Sequence, residues 1–362
     1  MSKKIIFPRD EKAHDFIVEW WYLNGILKDL SGNKYAFMDC LFKVDPKIIT
    51  NIPRLPRRYI YFSHAVFSDI KNRKFYYQIT PVSVSRDSFK KKLLYIKYKK
   101  FALTKITDSK LEETKPFIYK INSDFLDLNL ISTKKALLEQ KNGYVHLNTK
   151  STYYYSLTNL KADGYIKLNN KIIPVQGKSW LDHQWANSDA SLDKWIWFCI
   201  QLEDNREFVC FEFDDKHKKT ALVGYIDGKS KTFHTNKVKF IPFKKSWRSK
   251  KTGTLYPLEY KIEIPSLKAS LKTTPLMQNQ EVLFGNINYW EGPTKISGTI
   301  NSKKVKGFGF MELVGFPKNK SLIKIYNQII KQELKKRAKE TREQTYKISK
   351  KFLDVFFSRF KL

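Results

Sequence analysis

Seven of the eight tryptophans fall in three short segments, and each segment also carries an acid or a histidine. The first holds His14, Glu19, Trp20, Trp21 and Tyr22. The second holds Trp180, Asp182, His183 and Trp185, with Trp195 and Trp197 close behind. The third holds Tyr289, Trp290 and Glu291, followed by Glu312 in a glycine- and phenylalanine-rich run; only Trp247 stands apart. Indoles beside a carboxyl suit acid chemistry on an apolar molecule. Adding water to an unactivated alkene needs a general acid that is still protonated near neutral pH, and an apolar site raises a carboxyl's pKa. The cation that forms needs aromatic faces beside it. Asp182 between Trp180 and Trp185 meets the first need. Trp20, Trp21, Trp195, Trp197 and Trp290 meet the second. His183 would relay the proton or orient water.

The same residues also fit a structural reading. Asp182 and His183 would serve as buried hydrogen-bonded ties between strands, and on one strand they would point to opposite faces unless a bend intervenes. For Glu19, Glu291 and Glu312 the structural role comes first. His14, Glu19, Asp182 and His183 could gather round a metal, but no close histidine pair supports this, and no metal is expected. There is no nucleotide-binding glycine loop, and no cofactor is expected.

The elements that must position these groups are strands. From about residue 16 to 316, short apolar and aromatic runs alternate with polar turns, as in Phe16–Leu27, Tyr35–Val44 and Tyr59–Asp69, which is hairpin punctuation. Hydrophobic residues make up 42% and aromatics 15% of 362 residues, too long for one core and apolar enough for two. The expected fold is all-β: two tandem lipocalin-like antiparallel barrels, over residues 1–187 and 188–316, with a basic helical tail over 317–362. The junction is placed near Asn187, Ser188 and Asp189. Lys90–Lys105 reads as a half-exposed edge strand protected by charge.

The net charge of +33 attracts anions of any kind. The aromatics sit with acids rather than with Lys and Arg, and no nucleic-acid-binding signature is present, which argues against a nucleic-acid partner. The tail carries 14 basic against 4 acidic residues, with Phe352, Phe356, Phe357 and Phe360 on one stripe. That pattern suits an anionic membrane surface, and equally a helix packed on the strands or docked on a partner. Cys40, Cys199 and Cys210, odd in number and widely spaced, read as core residues. No run approaches the roughly 20 apolar residues of a membrane span. A cytoplasmic protein is expected, peripheral to the membrane if the tail docks there.

The three motifs, in this order, resemble those of the carotenoid 1,2-hydratase (hydroxyneurosporene synthase) family of lipocalin-like proteins. The resemblance spans residues 14–316 and leaves out the tail. It implies two lipocalin-like domains round an apolar pocket, and hydration of isoprenoid double bonds or a related cyclisation. His183 and Trp185 match the family's hydratase-associated histidine and tryptophan. The family's tyrosine and aspartate on the following strand fall near Phe211 and Glu212. The resulting expectation has Asp182, His183, Trp185 and Glu212 in catalysis. Glu19, Trp20, Trp21, Tyr22, Trp180, Trp195, Trp197, Tyr289 and Trp290 would line a site for an apolar, isoprenoid- or lipid-like molecule. The rival is a carrier that holds the same molecule unchanged at the membrane surface.

Overall fold

Period-two alternation decides the architecture. Strands that are apolar on both faces must be covered on both sides, and β1 (Val18–Asp29) and β2 (Lys34–Val44) are buried over most of their length. The structure, a computed structural model, describes residues 4–45, 59–85, 93–102, 105–147, 149–168, 171–187, 194–214, 218–284 and 287–318, with residues 335, 338, 339, 342 and 343. The first sheet adds β3 (Ile60–Asp69), β4 (Lys74–Ser85), β5 (Tyr95–Ala102), β6 (Lys105–Lys115), β7 (Ile118–Asn122), β8 (Leu126–Ser132), β9 (Leu137–Leu138), β10 (Tyr144–Leu147), β11 (Lys150–Leu168) and β12 (Lys171–Ala186). Its order is β10-β11-β12-β1-β2-β3-β4-β5-β6-β7-β8, and β8 pairs again with β11.

The second sheet is built from β13 (Lys194–Leu202), β14 (Glu207–Asp214), β15 (Lys219–Ile226), β16 (Thr232–Thr235), β17 (Lys239–Pro242), β20 (Tyr260–Ile264), β21 (Ala269–Pro275), β22 (Glu281–Phe284), β23 (Ile287–Ile300) and β24 (Lys303–Val314). The short β18 (Ser246–Arg248) and β19 (Leu255–Pro257) pair with each other. The second sheet runs β16-β15-β14-β13-β24-β23-β21-β20-β17, with β22 on β23.

Two large antiparallel sheets stand where two barrels were expected: in the first, the β8–β11 pairing joins the strands into a ring, while the second has two unpaired ends among the described residues. The second sheet ends on two four-residue strands, β16 and β17, and their shortness, with Lys239 and Pro242 on β17, keeps those edges from pairing further. Of Lys90–Lys105, the described strand β5 is not an edge either: it lies between β4, paired at Tyr98 and Lys99, and β6, paired over its whole length. Among the described residues up to 318 there are three one-turn 3-10 helices and no α-helix. The expected tail helix falls almost wholly outside the described residues, as do Ser188 and Asp189 of the expected junction. No helix among the described residues is long and apolar enough to cross a membrane.

The chain divides into two compact units. Met1–Trp247 with Tyr256–Phe316 is one, and it carries both sheets; Arg248–Leu255 with Pro317–Leu362 is the other. In the second, Arg248 donates to the Gly253 carbonyl at 3.2 Å. The first unit has three apolar clusters. One fills the inner face of the first sheet and one the inner face of the second. The third is made by residues of both sheets, so it forms a shared layer between them. The three cysteines are free and buried.

Candidate active site

The unbroken register of β1 against β12 sets the geometry. Trp21 pairs with His183 and Tyr22 with Asp182, with no bulge between. Successive side chains therefore go to opposite faces. Tyr22, Trp180, Cys40 and Tyr154 join the shared layer, while Trp21, Leu181, Trp185 and Tyr155 join the first sheet's own core. Asp182 and His183 are thus adjacent in sequence and belong to different environments.

In the shared layer, Asp182 accepts hydrogen bonds from Tyr154 Oη (2.6 Å), Ser156 Oγ (2.5 Å) and Trp180 Nε1 (2.6 Å). Trp197 Nε1 donates to Tyr154 Oη at 2.9 Å, so the second sheet is tied to this group. Burial pushes the Asp182 carboxyl up to about 6, and its three donors pull it back. Tyr22 packs edge-on against Trp197 and donates to Glu291 Oε1 at 2.9 Å. Burial, with the charge of Glu312 nearby, pushes Glu291 well above the usual carboxylate range. Glu312 pairs directly with Glu291 across β23 and β24, and accepts from Trp195 Nε1 at 2.8 Å. Burial pushes Glu312 up to about 7 although part of its side chain is exposed. In the layer, burial therefore raises all three carboxyls, Asp182 to about 6, Glu312 to about 7 and Glu291 well above its usual range, and none has an ion-pair partner among the described residues.

The other face of β1 carries charge. Glu19, with no exposure, accepts from the His14 backbone N–H (2.9 Å) and His14 Nδ1 (2.8 Å), His183 Nε2 (2.8 Å) and the Lys43 ammonium (2.6 Å). Burial opposes its ionisation, but the two imidazoles and Lys43 outweigh it and hold Glu19 well below the usual range. Burial pushes His183 down to about 4 even beside Glu19, so it is neutral at pH 7. His183 Nε2–H then donates to Glu19, and Tyr155 Oη lies 3.2 Å from Nδ1. Burial also opposes the charged form of His14, but Asp10 and Glu19 raise it. His14 stacks on Trp185 with 3.9 Å between centroids, and Trp21 stacks on His183 at 4.8 Å. One ligand atom each of His14, Glu19 and His183 lies within 4.8 Å of the others, the spacing of a metal site. Lys43 already supplies a full positive charge to Glu19, so a cation there would displace an ammonium and break both imidazole bonds.

The remaining candidates divide between these environments. Trp20, Trp195, Trp197 and Tyr289 belong to the shared layer with Tyr22 and Trp180. Trp290 lies in the second sheet's own core, donating to the Gln278 carbonyl at 2.7 Å. Glu212 is partly exposed and paired with Lys219 at 3.0 Å, while its neighbours Phe211 and Phe213 face the layer. Sequence reasoning missed Tyr154, Ser156, Lys43 and His64. The cue for Lys43 was a lone lysine between Phe42 and Val44 in an apolar strand. His64 likewise interrupts the run Ile60–Phe67. Nothing local marks Tyr154 and Ser156 as partners of an aspartate 26 to 28 residues on.

Two facing antiparallel sheets with a layer of buried carboxyls and indoles between them define an all-β protein with polar groups set inside an apolar layer. A family model described as AttH-like matches residues 1–316, and the chain belongs to the AttH-like family. The sequence resemblance therefore holds at the coarser level: the family shown is AttH-like, and the carotenoid hydratases are not singled out. Kievitone hydratase of Fusarium solani subsp. phaseoli is 21% identical over 197 residues, covering 52% of this chain and 56% of the relative. Dehydratase asqC of Emericella nidulans is 23% identical over 204 residues, covering 52% and 57%. The chain thus spans about half the length of the curated relatives it matches. Among solved structures, a putative AttH from Nitrosomonas europaea superposes with a TM-score of 0.70 at 25% identity, covering 87% of this chain and 98% of that one. Kievitone hydratase from Nectria haematococca gives 0.69 at 16% identity, covering 86% and 93%, which speaks for the fold alone.

Proposed function

We propose that the protein is a hydratase or dehydratase of the lyase type, which adds or removes water on an apolar, isoprenoid- or polyketide-like molecule held in the layer between the sheets. The observation that carries this reading is the set Asp182, Glu291 and Glu312, buried or partly buried among indoles and phenols and raised by that burial, so that Glu291 and Glu312 hold protons nearer pH 7 than an ordinary carboxyl does. Glu312 is the acid best placed to act. Burial pushes it up to about 7, part of it is exposed, and Trp195 is its hydrogen-bond partner. Asp182, whose two oxygens already receive three donors, would hold Tyr154 and Trp197 in position.

In the hydration direction, Glu312 would give its proton to one alkene carbon, and the cation on the other carbon would take water. The attacking water would then lose a proton, which restores the acid through solvent. Trp195, Trp197 and Tyr22 offer faces to that cation. The hydratase and dehydratase relatives fit this reaction class.

The test is mass spectrometry on the purified chain. Co-purifying apolar ligands and a panel of isoprenoid alkenes are incubated in water labelled with heavy oxygen. A product heavier by one labelled water, lost in Glu312→Gln, is the expected result. Ligands recovered unchanged from every incubation would overturn the reading and leave a carrier.

A further inference from the structure

His64 takes no part in the arrangement just described, and it has an unmade hydrogen bond. It lies on β3 at the same level as Asp182. Asp182 pairs with Tyr22, Tyr22 with Cys40, and Cys40 with His64, one row across four strands on the face of the shared layer. The side chain is buried, with 5% exposure. Its Nδ1 meets Tyr289 Oη at 2.6 Å, which fixes the ring from the opposite sheet. Its Nε2 has no hydrogen-bond partner. Two residues along β23 from Tyr289, Glu291 Oε2 is a second buried polar atom of the layer without a partner.

The walls round His64 are aromatic. Phe42, Phe62 and Phe284 form a stack with centroids 4.6 and 5.0 Å apart and interplanar angles of 9° and 14°. The His64 ring lies 5.0, 5.7 and 4.6 Å from those three rings. Phe42 and Phe284 are partly exposed, so the stack reaches the rim of the layer. A flat apolar molecule can extend such a stack, but a stack alone gives no reason for a fixed imidazole. A buried polar atom left unpaired costs about 1–3 kcal/mol, and such atoms in a folded protein call for an explanation such as a bound group.

We propose that His64, fixed by Tyr289, is the hydrogen-bonding contact for an oxygen of the substrate, and that the substrate is therefore a flat, largely apolar molecule bearing a hydroxyl or carbonyl group rather than a pure hydrocarbon. This rests on the reading above that the layer between the sheets receives the substrate. Burial holds His64 far down, at about 3, so the ring stays neutral through the working range. A neutral imidazole can accept from a hydroxyl or donate to a carbonyl, according to which nitrogen carries the proton. The Tyr289 hydroxyl can donate to or accept from Nδ1, so either tautomer keeps that bond.

The experiment is calorimetric titration of the full chain with two probes of one shape, naphthalene and 2-naphthol, on the wild type, His64→Phe and Tyr289→Phe. The quantity read is the ratio of naphthol to naphthalene affinity, which cancels the shared apolar contact. In His64→Phe the ratio should fall about tenfold, equivalent to about 1.4 kcal/mol, with naphthalene affinity kept as the control for folding. Tyr289→Phe keeps every ring in place and should lower the ratio in the same direction. It decides the matter if His64→Phe does not fold. If the wild type binds both probes and neither variant changes the ratio, the inference falls while the apolar layer stands. If neither probe binds the wild type, the reading of the layer falls and the inference with it.

Discussion

Replacing Lys43 by methionine tests the electrostatic account of the first sheet's core. Lys43 and Glu19 are both wholly buried and 2.6 Å apart. Methionine keeps most of the volume, so the loss is chiefly the charge. Removing one partner of a buried pair strands the other, at a cost of about 3–5 kcal/mol. With a urea slope of about 3 kcal/mol per molar at most, the unfolding midpoint should drop by about 1 M or more. A pH signature distinguishes this from a packing defect. In the wild type His183 is held at about 4, against an ordinary value of 6.5. Between those values the unfolded chain binds a proton that the folded chain refuses, so wild-type stability falls by about 1.4 kcal/mol per unit as pH drops. Without Lys43 the two imidazoles, each 2.8 Å from Glu19, are left to neutralise it, and His183 would take up that proton in the folded state. The slope then disappears in the variant, and the gap between the two proteins narrows by about 3 kcal/mol in all from pH 6.5 to pH 4. Urea unfolding at several pH values is the assay. A Lys43→Met protein within about 1 kcal/mol of wild type at pH 7 would refute the reasoning, and so would a gap that stays constant on acidification.

Other expectations follow from the same contacts. Asp182, raised from 3.8 to about 6, makes the folded state bind its proton more tightly than the unfolded state. Stability from this group is thus present at low pH and lost as pH rises to about 6, by about 3 kcal/mol, and Asp182→Asn should abolish that slope in pH-dependent unfolding. Glu312, at about 7, acts as an acid only while protonated. The rate of water addition should therefore fall above pH 7, and Glu312→Gln should lower it by about 100-fold or more. At Gly309 a Cβ would stand 1.9 Å from the Cys199 carbonyl oxygen of the paired strand. Gly309→Ala should cost about 3 kcal/mol or more in thermal unfolding, against about 1 kcal/mol for Gly32→Ala, where φ is +77° and the space is open.

The strand content and the aromatic clustering were legible because period and composition are local signals. Which tryptophans share a space was not, since that depends on register. Trp20 and Trp21 look like one feature in sequence, yet one faces the shared layer and the other stacks on His183 in the first sheet's core. Trp290 falls in a third core. The alternation rule warned that Asp182 and His183 would part unless a bend joined them, and the unbroken register has no bend. Glu212 entered through position along a motif, but strand parity puts it beside Lys219 while Phe211 and Phe213 face the layer. Tyr154 and Ser156 become partners of Asp182 only because β11 lies next to β12 in the sheet, a tertiary fact that no spacing encodes.

The division of acids between the two faces of the first sheet has a single physical cause. Glu19 and Asp182 lie on neighbouring strands and are both buried, yet one is held well below the usual carboxylate range and the other is pushed up to about 6. Burial disfavours the carboxylate at both. Beside Glu19 stand the Lys43 ammonium and two imidazoles, His14 being raised by Asp10 and Glu19 against its burial, and together they reverse the burial penalty. Beside Asp182 stand only neutral donors, which offset the penalty in part. The charged group therefore holds one core together with its proton already given up. Glu312, pushed up to about 7 and partly exposed in the layer that both sheets share, keeps part of its proton near pH 7. Glu11, buried against Tyr119 in the first sheet's own core, is pushed up to about 9 by burial with Glu113 beside it, so retention of a proton is not confined to the layer; on the proposed reading it is the partial exposure of Glu312 that would make it the donor.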